Sequence, residues 1–153
     1  MNERDAPKKL WSTPSWLVSR VALRAARVVS AQLDAAGVRR KHFAVLVALS
    51  ESGPASQADL GRRLALDRSD LHAIVADLER DGLIDRDRDP ADARRNRVKL
   101  TARGRAQLRR LDAKVDAAQD ELLAPLTKAE RAELTRLLTR VVAHHVERDA
   151  AAE

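Results

Sequence analysis

The spacing of apolar residues changes its period at Gly82, and that change limits the folds open to the chain. Before Gly82, Leu71, Ile74, Val75 and Leu78 recur at steps of three, four and seven, which places them on one face of a helix. After it, Asn96, Val98 and Leu100 alternate with Arg95, Arg97 and Lys99, the period of a strand. Leu83–Arg88 and Arg95–Leu100 flank Asp89-Pro90, a turn signal. The segment therefore reads as a two-stranded hairpin with a long polar tip, entered directly from a helix.

Two short helices precede the hairpin. Ser56 with Asp59 is a start signal, with Leu60 and Leu64 as the buried positions that follow. Asp67 with Asp70 opens the next helix in the same way, and Gly82 is its expected left-handed stop. The residues between them, Ala65-Leu66-Asp67, are few enough to make a helix-turn-helix, and the hairpin adds a wing. In such a unit the second helix enters the major groove, where base pairs are distinguishable. An arginine-rich hairpin tip can reach the neighbouring minor groove, where negative potential is strong.

The flanks are helical. Residues 1–12 read as a flexible polar lead. Thr13-Pro14 starts a helix over about 14–36, with Leu17, Val21, Val28 and Val29 on one side and Gly37 as its stop. A second helix, about 40–51, carries Phe43, Leu46, Val47 and Leu49 and is apolar around most of its surface, so it belongs in the core. Thr101 caps a long helix over about 102–124, whose Leu108, Leu111, Val115, Ala118 and Leu122 keep the spacing of a coiled-coil seam. Pro125 interrupts, and the capping box Thr127-x-x-Glu130 opens a last helix over about 128–148 with Leu134, Leu137, Leu138, Val141, Val142 and His145. The expected fold class is mainly α with a small antiparallel hairpin. The expected organisation is a lead at 1–13, N-terminal helices for dimerisation and core at 14–50, a winged helix-turn-helix at 51–101, C-terminal dimerisation helices at 102–148 and a tail at 149–153.

Composition removes several alternatives. The chain has 153 residues, room for one domain with helical arms. It has no cysteine, so disulfides, cysteine-ligated zinc and thiol redox sensing are excluded. Aromatic residues are 2% of the chain, too few for a base-stacking platform. No apolar run approaches the roughly 20 residues of a membrane span, and the polar first ten residues do not resemble a secretory signal, so a cytoplasmic protein is expected. His42, His144 and His145 raise a metal reading, but adjacent histidines point to different sides of a helix and no metal site is expected. No Gly-x-Ser-x-Gly elbow and no phosphate-cradling glycine loop is present, so an enzyme ranks last and no cofactor is expected.

The net charge of +6 is unevenly placed. Residues 1–50 carry all of the excess, and 51–100 are close to neutral. A basic balance favours an anionic partner, nucleic acid being the commonest, although a solvated arginine-rich surface would look the same.

The residues from 51 to 104 resemble the MarR family of bacterial regulators. Gln57-Ala58-Asp59-Leu60 and Asp77-Leu78-Glu79-Arg80-Asp81-Gly82-Leu83-Ile84 carry the match, followed by the wing Asp89-Pro90-Ala91-Asp92-Ala93-Arg94 and the closing Val98-Lys99-Leu100-Thr101-Ala102-Arg103-Gly104. The flanking helices extend the resemblance over nearly the whole chain from about residue 14. It implies an obligate homodimer on a short inverted repeat of double-stranded DNA. It also implies a repressor or local regulator, in many cases one that responds to a small anionic or aromatic effector.

On that reading, Arg68, Ser69, His72 and Ala73 are the candidate groove contacts of the recognition helix. Arg94 matches the wing arginine and Asp92 the acid that orients it. Arg95 and Arg97, with Arg86 and Arg88, are phosphate contacts or solvated charge. Asp70 has two readings, a capping residue or an acceptor for a cytosine amino group, and the first is favoured. The recognition helix is not itself basic, so phosphate affinity must come from the wing, from Arg62 and Arg63, and from the Arg39-Arg40-Lys41 cluster. Trp16 and Phe43 are candidates for an effector pocket, against the more ordinary role of core or interface residues. The rival to DNA binding is a winged module that binds protein, which would not need the arginine-rich tip.

Overall fold

A computed structural model describes residues 5–152; the side chains of residues 92–95 and 152 lie outside the described residues. The element order is α1 (Lys8–Trp11), α2 (Pro14–Asp34), α3 (Arg40–Ser52), β1 (Ala55–Ser56), α4 (Gln57–Leu64), α5 (Arg68–Arg80), β2 (Ile84–Asp89), β3 (Asp92–Leu100), α6 (Ala102–Leu122) and α7 (Lys128–Ala152). The fold is mainly helical, with a three-stranded antiparallel sheet in the order β1-β3-β2.

The start signals act as the sequence implies. The Ser56 hydroxyl accepts from the Asp59 amide at 3.1 Å, and an Asp67 carboxylate oxygen accepts from the Asp70 amide at 2.7 Å. Thr101 accepts from the Gly104 amide at 2.9 Å, and Thr127 and Glu130 bond reciprocally through their side chains and amides. Gly82 lies at φ +70°, and Leu83 and Gly82 return their amides to the carbonyls of Leu78 and Glu79. That closes α5 with the two bonds of a Schellman motif and aims the chain into β2.

Several details depart from expectation. Lys8–Trp11 forms a helical turn where the sequence suggests an irregular lead. Thr13 stands at the N-cap of α2, but its hydroxyl bonds back to the Lys9 carbonyl instead of capping. The hairpin tip is not long: Pro90 and Ala91 form the turn, and the ladder runs regularly from Ile84 to Arg88 before a register shift at Asp89. The short strand β1, which pairs Ala55 with Val98, is too brief to leave a period in the sequence. The last helix continues through the expected tail to Ala152.

The core is built where α2, α3, α5 and α6 meet the sheet. Leu33, Val45, Leu46, Leu60, Val75, Ile84, Val98 and Leu111 are fully buried. The row of Leu108, Leu111, Val115 and Ala118 on α6 packs within the chain rather than forming a free coiled-coil seam. Val21, expected on the buried side of α2, is 46% exposed, while Leu33 at the end of the same helix takes the buried role.

The closing motif of the wing has a packing explanation. The Thr101 hydroxyl donates to the Gly82 carbonyl at 2.8 Å, and the Thr101 amide donates to Leu83 at 3.1 Å. Gly104 faces the same backbone, and a Cβ there would overlap the Leu83 carbonyl. Threonine and glycine three residues apart thus clamp the start of α6 onto the junction of α5 and β2.

Candidate nucleic-acid interface

The helix-turn-helix is α4 and α5, joined through Ala65, Leu66 and Asp67. Ala65 lies at φ +49°, the one non-glycine residue with positive φ among those described, and the Leu66 amide returns to the Gly61 carbonyl at 3.0 Å. On α5, Leu71, Ile74, Val75 and Leu78 are buried and fix the rotation of the helix. The opposite face carries Arg68, Ser69, His72 and Ala73, all four exposed. The apolar spacing therefore presents the predicted contact residues together to solvent.

These residues differ in how free they are. Ser69 donates its hydroxyl to Asp67 at 2.8 Å and is part of the cap. This bond and the Asp70 amide hold the Asp67 carboxyl below the usual carboxylate range. Arg62 is exposed but pairs with Asp59 one turn earlier on α4. Arg40 is exposed at the start of α3. Asp70 resolves to neither reading alone: its backbone amide is capped by Asp67, while its carboxylate pairs with Lys41.

The wing meets α5 near its C-terminal end, at Glu79. The side chains of Asp92, Arg94 and Arg95, the central wing assignments, fall outside the described residues. Arg97 donates to the Pro54 carbonyl at 2.7 Å, which ties β3 to the loop before β1. Arg86 pairs with Glu79 on α5 at 2.9 Å, and Lys99 pairs with Asp87. Asp87 of β2 therefore pairs across the hairpin, and Arg86 pairs with the recognition helix rather than with its strand neighbours.

Sequence reasoning underused the start of α3. Lys41 reaches Asp70, and the His42 Nε2 lies 3.1 Å from Asp77. The basic cluster at 39–41 thus stands directly against the recognition helix. The acids on α5 do not repel one another unopposed: Asp77 also meets Arg80 at 2.9 Å, and Asp81 lies 3.7 Å from it. The signal for this was present in the net acidity of residues 68–81, which demanded counter-charges from elsewhere.

The candidate effector residues are not brought together. Trp16 packs edge-on against Trp11 with centroids 5.3 Å apart, and the Arg20 guanidinium lies 5.9 Å from the Trp16 ring centre. The Arg20 Nε is buried without a hydrogen-bond partner, a feature sequence reasoning missed. Phe43 instead packs on the core. Neither aromatic lines the apolar cavity walled by Leu17, Val21, Leu122, Leu134 and Leu138 between α2, α6 and α7. His144 and His145 meet edge-on at 5.2 Å, and no metal-binding cluster of acids and histidines occurs among the described residues.

Comparison with known proteins agrees with this architecture. A sequence profile of the MarR family matches residues 36–95. The chain is 32% identical over 126 residues to the HTH-type transcriptional repressor Rv2887 of Mycobacterium tuberculosis, covering 82% of this chain and 91% of that one. The solved structure of Rv2887 in complex with p-aminosalicylic acid superposes with a TM-score of 0.71, over 85% of this chain and 98% of that one. PcaV of Streptomyces coelicolor, solved with its natural ligand, is 31% identical with a TM-score of 0.71, covering 88% and 94%. Apo MarR of Escherichia coli is 26% identical with a TM-score of 0.75, covering 84% and 96%. With its helix-turn-helix, its wing and these relatives, the chain belongs to the MarR family of winged helix-turn-helix transcriptional regulators.

Proposed function

We propose that this chain is a homodimeric repressor that binds a pseudo-palindromic operator and is released by a small anionic or aromatic ligand. The observation that carries the reading is the exposed row Arg68, Ser69, His72 and Ala73 on a helix whose rotation is fixed by four buried residues. Repressor activity is stated for Rv2887, and both Rv2887 and PcaV have been solved with small molecules.

Dimerisation is supported by unpartnered apolar surface. Val141, Val142 and Val146 on α7 are 58%, 61% and 62% exposed, and Val18, Val21 and Leu23 on α2 are exposed as well. At about 25 cal/mol per Å², leaving such a surface in water is unfavourable, and a second copy would cover it. A twofold axis would set the two recognition helices about one DNA turn apart, roughly 34 Å. Arg94, oriented by Asp92, enters the minor groove in this reading, with Arg95, Arg62 and Arg40 at phosphates. The site of action is cytoplasmic; no helix among the described residues is long and apolar enough to cross a membrane.

For the effector, the Arg20 guanidinium, with its unpartnered Nε, and Trp16 beneath it offer a hydrogen-bond donor to a ligand's carboxylate beside an aromatic face. Ligand binding there alters the spacing of the two reading heads and lowers operator affinity.

Sedimentation of the free protein and gel-shift titration against its own upstream DNA test the proposal together. A dimer that shifts this DNA at nanomolar concentration in moderate salt, and is released by p-aminosalicylic acid or a related aromatic acid, is expected. A monomer, or a dimer that binds upstream and unrelated DNA equally, contradicts it.

A further inference from the structure

The recognition helix carries three acids, Asp70, Asp77 and Glu79, with a fourth, Asp81, at its C-cap, against Arg68 and Arg80. A helix so charged is repelled by phosphates unless its acids are neutralised in place. Two of them, Asp70 and Asp77, stand two helical turns apart and so share one side of α5. That side faces the start of α3, where consecutive residues meet both: Lys41 pairs with Asp70 and His42 with Asp77. One crevice is bordered by all four residues.

The two contacts differ in kind. Lys41 and Asp70 are 57% and 43% exposed, so their pair is held in solvent and adds little to folding. His42 is only 12% exposed, with its Nδ1 buried and unpartnered, so Asp77 is its one side-chain partner among the described residues. The α3 residues thus meet the recognition helix with one adjustable contact near its N-terminus and one fixed contact further along.

We propose that Lys41 and His42 are positioning residues for DNA reading: Lys41 cancels the charge of Asp70, His42 holds Asp77 by a hydrogen bond, and together they keep these carboxylates away from the phosphates. This rests on the DNA-binding function proposed above. Lys41 does not itself contact DNA. The Asp70 carboxylate, as hydrogen-bond acceptor and as charge, holds the Lys41 ammonium above its ordinary pKa, as a retained pair requires. Loss of Lys41 leaves Asp70 uncompensated one residue from Ser69 and two from His72. The damage then falls on sequence discrimination as well as affinity.

The test uses full-length Lys41→Met, Asp70→Asn and the double variant, each checked for dimer mass and thermal unfolding. Without DNA, amine acetylation read by peptide mass spectrometry should be slower at Lys41 in wild type than in Asp70→Asn; equal rates overturn the pair. With operator DNA, Lys41→Met should lose about fivefold or more in affinity alone, and less than about twofold in the Asp70→Asn background. Its salt dependence should match wild type, whereas loss of a direct phosphate contact lowers the slope by about one. Equal losses in both backgrounds, or a slope reduced by one, overturn the inference while leaving the repressor reading intact. A wild-type chain that binds no DNA removes both the repressor reading and this inference, whatever the acetylation rates.

Discussion

The winged unit and the terminal helices use the same small set of residues, largely alanine, leucine, valine and arginine, to opposite ends. In the winged unit every large apolar residue of α5 faces inward, and the strands bury Ile84, Val98 and Leu100. Among the described residues of α7 none is buried, and a valine ridge faces solvent. The winged unit is closed by its own chain; α7 is not. In the proposed dimer the unfinished half would take up the second copy, and the finished half would be left to read the DNA.

Gly104 marks the seam between the halves, and its substitution should have the largest effect. Gly104→Val would drive side-chain atoms into the Leu83 carbonyl, and we expect little folded protein on circular dichroism. Leu111→Ala empties a fully buried position on α6 and should cost about 2–5 kcal/mol in urea denaturation. By contrast Val142→Glu, at a position 61% exposed, should leave each protomer helical while shifting sedimentation from dimer to monomer. An unchanged dimer would remove α7 from the interface. The smallest effect belongs to Ala65→Gly, which relieves a left-handed alanine but loosens the unfolded chain; the two nearly offset, and the net change should stay within about 1 kcal/mol.

Acid should weaken both halves. Hydrogen bonds from Ser56, from the Asp70 amide and from His42 hold Asp59, Asp67 and Asp77 below the ordinary carboxylate range, all three in the winged unit. Glu130 and Glu133 are lowered on α7, by Thr127 and Arg136. A depressed pKa contributes stability that is full above the unfolded value, about 4, and lost as pH falls through the folded value. The denaturation midpoint should therefore hold from about pH 5 upward and fall below about pH 4. A fall already complete at pH 5 would contradict these contacts.

Local chemistry was legible in the sequence, and long-range pairing was not. Ser56, Asp67, Thr101, Thr127 and Gly82 announce their helix ends because a cap needs only residues within one turn. The face of α5 follows from its spacing for the same reason. Thr13 misleads because Lys9, on a helical turn with no periodic signal, offers its hydroxyl another acceptor. Val21 is exposed and Leu33, which the spacing did not single out, is buried, because only the packing of α2 on its neighbours decides which turn is covered. Lys41 and His42 find partners 29 and 35 residues away, a distance over which sequence spacing carries no geometric information. The basic cluster was visible; its attachment to the recognition helix was not.

The division of labour is tested most directly by the wing. Fluorescence anisotropy of upstream DNA, titrated with wild type and Arg94→Ala at one salt concentration, separates reading from assembly when paired with sedimentation. We predict that Arg94→Ala remains a dimer and loses about 5- to 150-fold in affinity, the roughly 1–3 kcal/mol of one groove contact. A folded, dimeric variant that binds this DNA as tightly as wild type would contradict the account.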